Sequence, residues 1–452
     1  MRRGMLGKAI VDLFLVYLGF LLAFLIRFGG ELPPGNWRAC QNLIPWITLI
    51  AVFLFYTYGL YSSERQNWEE IFPSLICVVA ILFISSMALS FLLHEFSFPR
   101  SIFLISVPLQ LLFLTLWRRL LWFWTMRRMG PMRLLLVGPH ENVFKRARSI
   151  FKEDPKMYRV IGLLVDKPQA NLRFDNTDNF PLLGTYDEIA PVLNGIKADG
   201  VLFCNDIPFE KRISMINAVI SHNMLVYVIP GMYDIFISQS QLEHFDGIPV
   251  FRLSGLVKGS AKAWKRIMDV GIALVAGIVA LPLVCLAALA IKLEPPSGPV
   301  FYCQDRVGRG GKIFKLIKLR TMIPDAEKHS GPVLAVEKDR RITKVGHILR
   351  ITRIDELPQL WNVLKGEMSF IGPRPERPVF VNKFRKQIPG YEYRHWLQTG
   401  ITGLAQVEGK YSTPPEDKLR FDLLYAKTVS PLQDIQILLH TLKVMLMKDK
   451  SS

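Results

Sequence analysis

Cysteine is scarce and badly placed for chemistry. Cys40, Cys77, Cys204, Cys285 and Cys303 form no CxxC pair and no metal-ligand spacing, which excludes a disulfide framework and a cysteine-built metal site. Charge is also thin: 21% of the 452 residues are charged, half are hydrophobic, and the mean hydropathy of +0.25 is high for a soluble protein. Acid is the rarer sign, with 38 Asp/Glu against 56 Lys/Arg and a net charge of +18. From residue 251 onward there are 33 Lys/Arg against 18 Asp/Glu, a difference of +15, so nearly all the basic excess lies in the last 200 residues. No nucleic-acid-binding motif accompanies it, so nucleic acid is excluded as a partner. An anionic membrane surface and phosphate-bearing substrates suit that charge better. No small-residue cleavage site follows the first apolar segment, which is therefore expected to be a retained anchor.

Long apolar runs are what the sequence does have. They cover about residues 9–26, 43–62, 72–93 and 101–124, each near the ~20 residues that cross a bilayer core. Asp12 alone interrupts the first. Arg118 and Arg119 are expected to mark an interface, with Trp117, Trp122 and Trp124 as its aromatic belt. Arg2, Arg3 and Lys8 precede the first run, and Arg127, Arg128 and Arg133 follow the fourth. The intervening outer loops hold only Arg27, Arg38 and Arg100. The bias predicts four transmembrane helices with both ends cytoplasmic.

Residues 132–250 alternate short apolar runs with polar helical stretches. Arg133–Val137, Val160–Val165, Gly200–Phe203 and Val226–Ile229 read as strands, with helices at Val143–Phe151 and Lys211–Ser221. This is the pattern of a doubly wound sheet. Of a dinucleotide-binding Gly-x-Gly-x-x-Gly only Gly138 is present, with Asp166 at the end of the second strand. A structural or regulatory Rossmann-like domain is therefore favoured over a cofactor-binding one. Next comes Val270–Ile291, uncharged and long enough to span, flanked by Lys258, Lys262, Lys265 and Arg266 before it and Lys292, Arg306 and Arg309 after it. Cations on both flanks oppose a full crossing. Pro282 in mid-run favours a helix that enters, bends and returns to the same face, the alternative being a kinked fifth span.

The stretch Arg353-Ile-Asp355-Glu356-Leu-Pro358 carries the chemistry. Proline is tolerated only in a helix's first turn, so Asp355 and Glu356 are placed at or just before a helix start, and Gly366 is its stop. Carboxylates there face free N–H groups and the positive end of the helix dipole, which keeps them ionised. Arg353 and Arg374 bracket the pair with cations suited to phosphate oxygens. The competing reading is an Asp cap followed by a first-turn Glu.

Residues 262–446 resemble the bacterial sugar transferase family, the polyprenyl-phosphate glycosylphosphotransferases or large monotopic phosphoglycosyl transferases. The resemblance rests on Lys265-Arg266-Ile-Met-Asp269, Gln304-Asp-Arg306-Val-Gly308, Lys318-x-Arg320-Thr321-Met322, Asp355-Glu356-Leu-Pro-Gln-Leu-Trp-Asn, Met368-Ser-Phe-Ile-Gly-Pro373-Arg374-Pro375, Gly400-Ile-Thr-Gly-Leu-Ala-Gln406-Val and Asp422-x-x-Tyr425, in that order. It implies a membrane α plus α/β architecture. Residues 1–130 would form a four-helix transmembrane bundle and 131–253 a Rossmann-like cytoplasmic domain. Residues 254–452 would form a mixed α/β catalytic domain with a re-entrant membrane helix at about 264–292. The implied reaction moves a sugar 1-phosphate from a UDP-sugar to undecaprenyl phosphate at the bacterial inner membrane, releasing UMP and initiating a surface glycan. Asp355 would be the nucleophile, Glu356 its partner, and both magnesium ligands. Arg374, Lys318, Arg320, Arg353, Arg306 and Asp422 would bind substrate, while Pro282, Pro373 and Pro375 shape the backbone. A homodimer is also implied. The chain departs from the family pattern at Leu281 before Pro282 and at Thr399-Gly400, neither of which touches the Asp-Glu pair. A membrane-anchored nucleotide-sugar dehydratase is disfavoured, because no tyrosine has a lysine four residues on. A non-catalytic scaffold would have no use for an intact Asp355-Glu356 and Arg374.

Overall fold

A computed structural model describes residues 2–62, 66–153, 155–167, 180–238, 240–253, 261–324, 326, 339, 341–410 and 412–447. The expected boundary at 253/254 and Lys258 lie outside these residues. By compactness the chain divides into two units, Met1–Tyr233 and Asp234–Ser452.

The first unit opens with four long helices, α1 (Arg2–Arg27), α2 (Pro34–Thr57), α3 (Trp68–Leu92) and α4 (Arg100–Met129). All four are long and apolar enough to cross a membrane. α1 and α4 outrun the apolar runs that foretold them at both ends, whereas α2 and α3 begin earlier than their runs and stop short of the runs' C-terminal ends. One expectation needs correcting. Arg118 does not face outward: it is buried and paired with Asp12, and it donates to the Leu60 carbonyl at 2.6 Å. A lone charge inside an apolar bundle is too costly to keep without a partner, so the same contact explains why Asp12 interrupts α1. Arg119, by contrast, lies over the rings of Trp68 and Trp122 at 4.7 and 4.8 Å.

A five-stranded parallel sheet follows. Its elements are β1 (Met132–Val137), α5 (His140–Glu153), β2 (Tyr158–Val165), β3 (Leu182–Thr185), α6 (Ile189–Gly195), β4 (Gly200–Phe203), α7 (Phe209–Ser221) and β5 (Leu225–Val228), in spatial order β3-β2-β1-β4-β5. Alternation along β1 supplies both faces. Leu135 and Val137 pack with α6 and α7 residues such as Leu193 and Val219. Leu134 and Leu136 pack with Val143 and Ala147 of α5. Gly138 ends β1 against Cys204, and Asp166 Oδ1 accepts from the His140 amide at 3.4 Å.

α8 (Met232–Ile237) leads into the second unit, followed by the antiparallel ribbon β6 (Gln241–Phe245) and β7 (Ile248–Arg252). The 33-residue α9 (Ala261–Leu293) remains helical through Pro282. Near its start, Arg266 donates to the carbonyls of Val363 and Leu364, both at 2.6 Å. Asp269 accepts from Ser369 Oγ at 3.0 Å and the Phe370 amide at 2.9 Å. Near its end, Ala287 and Ile291 pack on Leu319 and Leu349. Val275, Ile278, Val279 and Leu281, between those ends, are more than 60% exposed.

Candidate active site

The remaining elements assemble the site: β8 (Phe301–Val307), β9 (Ile313–Leu319), α10 (Lys344–Ile351), α11 (Gln359–Lys365), β10 (Ser369–Ile371), α12 (Pro378–Gln387), β11 (Gly400–Thr402), α13 (Leu404–Glu408), α14 (Pro415–Thr428) and α15 (Pro431–Met445). Between α10 and α11 the chain makes one 3-10 turn, Ile354–Glu356. It enters that turn through Arg353 in the left-handed region at φ 58°, an unfavourable conformation for a residue with a Cβ. Pro358 caps α11, and Gly366 ends it at φ 81°, as its punctuation predicts.

Asp355 and Glu356 do not cap this helix: neither helical turn has a side-chain cap. The Glu356 carboxylate is instead claimed by cations. Lys318 Nζ donates to its Oε1 at 2.7 Å and Arg374 Nη2 to the same oxygen at 3.0 Å. Burial alone would raise the Glu356 carboxyl, but Lys318 and Arg374 outweigh it and hold the group well below the usual range. In return Arg374 is pushed up by Glu356. Burial dominates at Lys318 and lowers it, against the pull of Glu356.

Asp355 is the opposite case. It is 7% exposed, and its Oδ1 is buried without a hydrogen-bond partner among the described residues. Burial raises its carboxyl and Lys318 counters that. A buried carboxylate oxygen that nothing satisfies is rare and costly, and it is what a nucleophile or a hard-cation ligand requires. Both contacts on Glu356 fall on Oε1, which leaves Oε2 to face a cation. One or two carboxylates plus substrate phosphate oxygens are the usual magnesium set, so the pair fits that ion.

The strand that brings Lys318 is fixed by Asn362, which is fully buried in α11. Its Oδ1 accepts from the Ile317 amide at 3.1 Å and its Nδ2 donates to the Lys315 carbonyl at 2.8 Å. Arg306 is half-buried on β8, donating to the Pro375 carbonyl at 2.9 Å and to Gln304 at 2.6 Å. Burial, with Arg374 beside it, brings its guanidinium down to about 10. Arg306, Lys318, Gln359, Arg374, Pro375 and Gly400 line one pocket. Among the substrate-binding expectations, Lys318, Arg374 and Arg306 meet there. Arg353 lies near enough to help hold both carboxylates ionised.

Two expectations are revised by position. Arg320 is buried under α9, donating to the Ile291 carbonyl at 3.1 Å, so it ties down the end of that helix. Asp422 is 2% exposed and paired with Arg394 at 2.9 Å; burial brings its carboxyl up to about 6. Arg394 Nη2 also donates to the Arg374 carbonyl at 3.1 Å. Asp422 therefore supports the Pro373-Arg374-Pro375 turn from behind. Sequence reasoning missed Arg394, which donates to nearby Tyr391 but whose ties to the site lie 20 and 28 residues away. It also missed the buried network in which Lys265 donates to Tyr425 at 2.7 Å and Asp434 at 2.6 Å. The Lys265 and Tyr425 motifs were its only trace. His395, buried and brought down to about 4 by that burial and by Arg394, is a neutral core residue.

Comparison with known proteins matches residues 260–448 to a family model described as bacterial sugar transferase, and residues 55–230 to one described as a CoA-binding domain. UDP-N-acetylgalactosamine-undecaprenyl-phosphate N-acetylgalactosaminephosphotransferase of Aeromonas hydrophila is 37% identical over 263 residues, 57% of this chain and 61% of that protein. The match thus spans under two thirds of that relative's length. UDP-glucose:undecaprenyl-phosphate glucose-1-phosphate transferase of Caulobacter vibrioides is 42% identical over 194 residues, 41% of this chain and 71% of that protein. UDP-galactose-lipid carrier transferase of Erwinia amylovora is 29% identical over 98% of this chain and 96% of its own. The Asp355-Glu356 turn and its Lys318, Arg306 and Arg374 frame fall wholly inside the matched region, and the chain belongs to the bacterial sugar transferase family.

Proposed function

We propose that the protein transfers a sugar 1-phosphate from a UDP-sugar to undecaprenyl phosphate, the first step of a surface polysaccharide or glycoconjugate. The observation that carries this reading is the unpartnered, buried Oδ1 of Asp355 beside a Glu356 clamped by Lys318 and Arg374. Asp355 attacks the donor's β-phosphorus, its bond to the bridging oxygen breaks, and UMP leaves with the electron pair. A phosphate oxygen of the lipid then attacks the aspartyl-phosphosugar, forming the lipid diphosphate sugar and restoring Asp355. The covalent step divides a transfer between two bulky anions into two easier displacements. Lys318, Arg374 and Arg306 stabilise charge on the transferring phosphoryl group and position the donor. Magnesium, held by Asp355 and Glu356, would neutralise the diphosphate.

The same reading places the chain in the bacterial cytoplasmic membrane with its catalytic part cytoplasmic, as a homodimer. Residues 1–130 form the bundle, 131–253 the Rossmann-like domain and 254–452 the catalytic domain. The contacts of α9 support re-entry. Residues near its start rest on α11 and β10 and residues near its end on β9 and α10, all elements of one unit, and cations flank it on both sides. The relatives' names carry three different sugars, so the donor is chosen by experiment. Purified full-length protein with magnesium and undecaprenyl phosphate is to be tested against a panel of UDP-sugars. UMP release with one donor, reduced about 10³-fold or more in Asp355→Asn, is expected. Equal release by the variant would remove Asp355 from the reaction.

A further inference from the structure

We propose that Gln406 reads the uracil edge of the donor nucleotide, an assignment that rests on the transferase reading above. Gln406 lies on α13, directly after β11. Its Nε2 and Oε1 are both buried, and neither has a hydrogen-bond partner among the described residues. A primary amide carries two donors and an acceptor with two lone pairs, and folded interiors rarely leave all of that capacity unused. Its neighbours Ala405 and Val407 are buried apolar residues, so the unmet hydrogen-bonding capacity is that of the Gln406 amide.

Three glycines set where the amide lies. Cβ atoms built on Gly372, Gly400 and Gly403 would each strike backbone within 2.4 Å, so these segments pack main chain to main chain. A Cβ on Gly403 would stand 2.2 Å from the Gly372 carbonyl oxygen and 2.9 Å from Gln406 Oε1. Those two oxygens are therefore no farther apart than the sum of the two distances. Gly372 is the root of the Pro373-Arg374-Pro375 turn. The Gly400 amide donates to the Pro373 carbonyl at 2.9 Å, and Arg374, Pro375 and Gly400 line the pocket. The amide thus lies beside the main chain that leads into the Arg374 turn, and is not itself among the residues that line the pocket.

The chemistry of the donor's leaving half matches this side chain. Uracil presents an N3–H between two carbonyl oxygens. A carboxamide meets that edge with Oε1 accepting from N3–H and Nε2 donating to O4, two hydrogen bonds in one plane. Attack on the β-phosphorus expels UMP, so the base needs its own hold while the sugar phosphate stays on the enzyme.

The test measures inhibition of the full-length protein by UMP and by N3-methyl-UMP, whose blocked nitrogen cannot donate. Wild type is expected to prefer UMP by about tenfold or more, and Gln406→Met, similar in length but apolar, by less than about threefold. In Gln406→Met the KM for the UDP-sugar rises about tenfold, while kcat and the KM for undecaprenyl phosphate stay within about twofold. Its thermal midpoint does not fall, because an unsatisfied buried amide has been removed. If Gln406→Met does not fold, Gln406→Leu, smaller and unable to accept from N3–H, is expected to lose the preference likewise. A UMP preference that survives in the variants overturns the assignment, as does a wild type indifferent to N3-methylation. A change in sugar preference with UMP binding intact would place the amide on the sugar and overturn it too. Wild type that turns over no UDP-sugar would sink the transferase reading itself, a failure distinct from these.

Discussion

Asp355 and Glu356 are adjacent in the chain and electrostatically opposite. Glu356 is held far down by Lys318 and Arg374, whereas Asp355 is pushed up by burial and restrained mainly by Lys318. A nucleophilic carboxylate works only when ionised, so activity is retained above the Asp355 pKa and falls as pH drops through it. Because that pKa is raised, the acid limb of kcat/KM is expected above the ordinary aspartate value of about 4. Lys318→Met removes the cation that most favours ionised Asp355, so the limb moves to higher pH, measurable in a pH–rate profile. A limb that stays or moves down would contradict the assignment. At this scale the Asp-Glu pair was legible because Pro358 and Gly366 punctuate its helix. Arg306, Lys318 and Arg374 followed from their motifs. Arg320 and Asp422 were also found by motif, but a motif does not say which way a side chain faces. Arg394 was not found because the partners that tie it to the site, Asp422 and the Arg374 carbonyl, come from distant segments.

Whole elements were read more securely than their ends. Short apolar runs foretold β1, β2, β4 and β5, and long ones the four N-terminal helices. β3, four residues with only Leu182 and Leu183 as large apolar groups, was too short to stand out. The Asp12–Arg118 pair shows the limit of charge counting: a bias of Lys and Arg orients helices but does not reveal which arginine turns inward. Removing one member leaves the other buried and alone, so Asp12→Ala is expected to cost about 3–5 kcal/mol. Loss of thermal stability in detergent would register it, with Asp12→Ala/Arg118→Met recovering part. No change in the single variant would mean that the pair is solvated.

For the molecule as a whole, the structure's division at Tyr233 and Asp234 differs from the grouping by sequence pattern, which separated the bundle from the sheet because one is apolar and the other alternates. Topology belongs to this scale. The proposed re-entry of α9 would put His244 and Ser297, on either side of it, on one face of the membrane. With exposed Cys285 and Cys303 replaced by serine, His244→Cys and Ser297→Cys are both expected to resist an impermeant thiol reagent in intact cells and to react after permeabilisation. Opposite behaviour of the two would make α9 a full crossing. In the proposed reaction Asp355 carries the sugar phosphate between donor and lipid. The most direct measurement of that step is mass spectrometry of the full-length protein mixed with a turned-over UDP-sugar and magnesium, without undecaprenyl phosphate. A gain of one sugar phosphate is expected, located on the peptide holding Asp355, lost on adding undecaprenyl phosphate and absent from Asp355→Asn. UMP release with no adduct on that peptide, or an adduct on another residue, would contradict it.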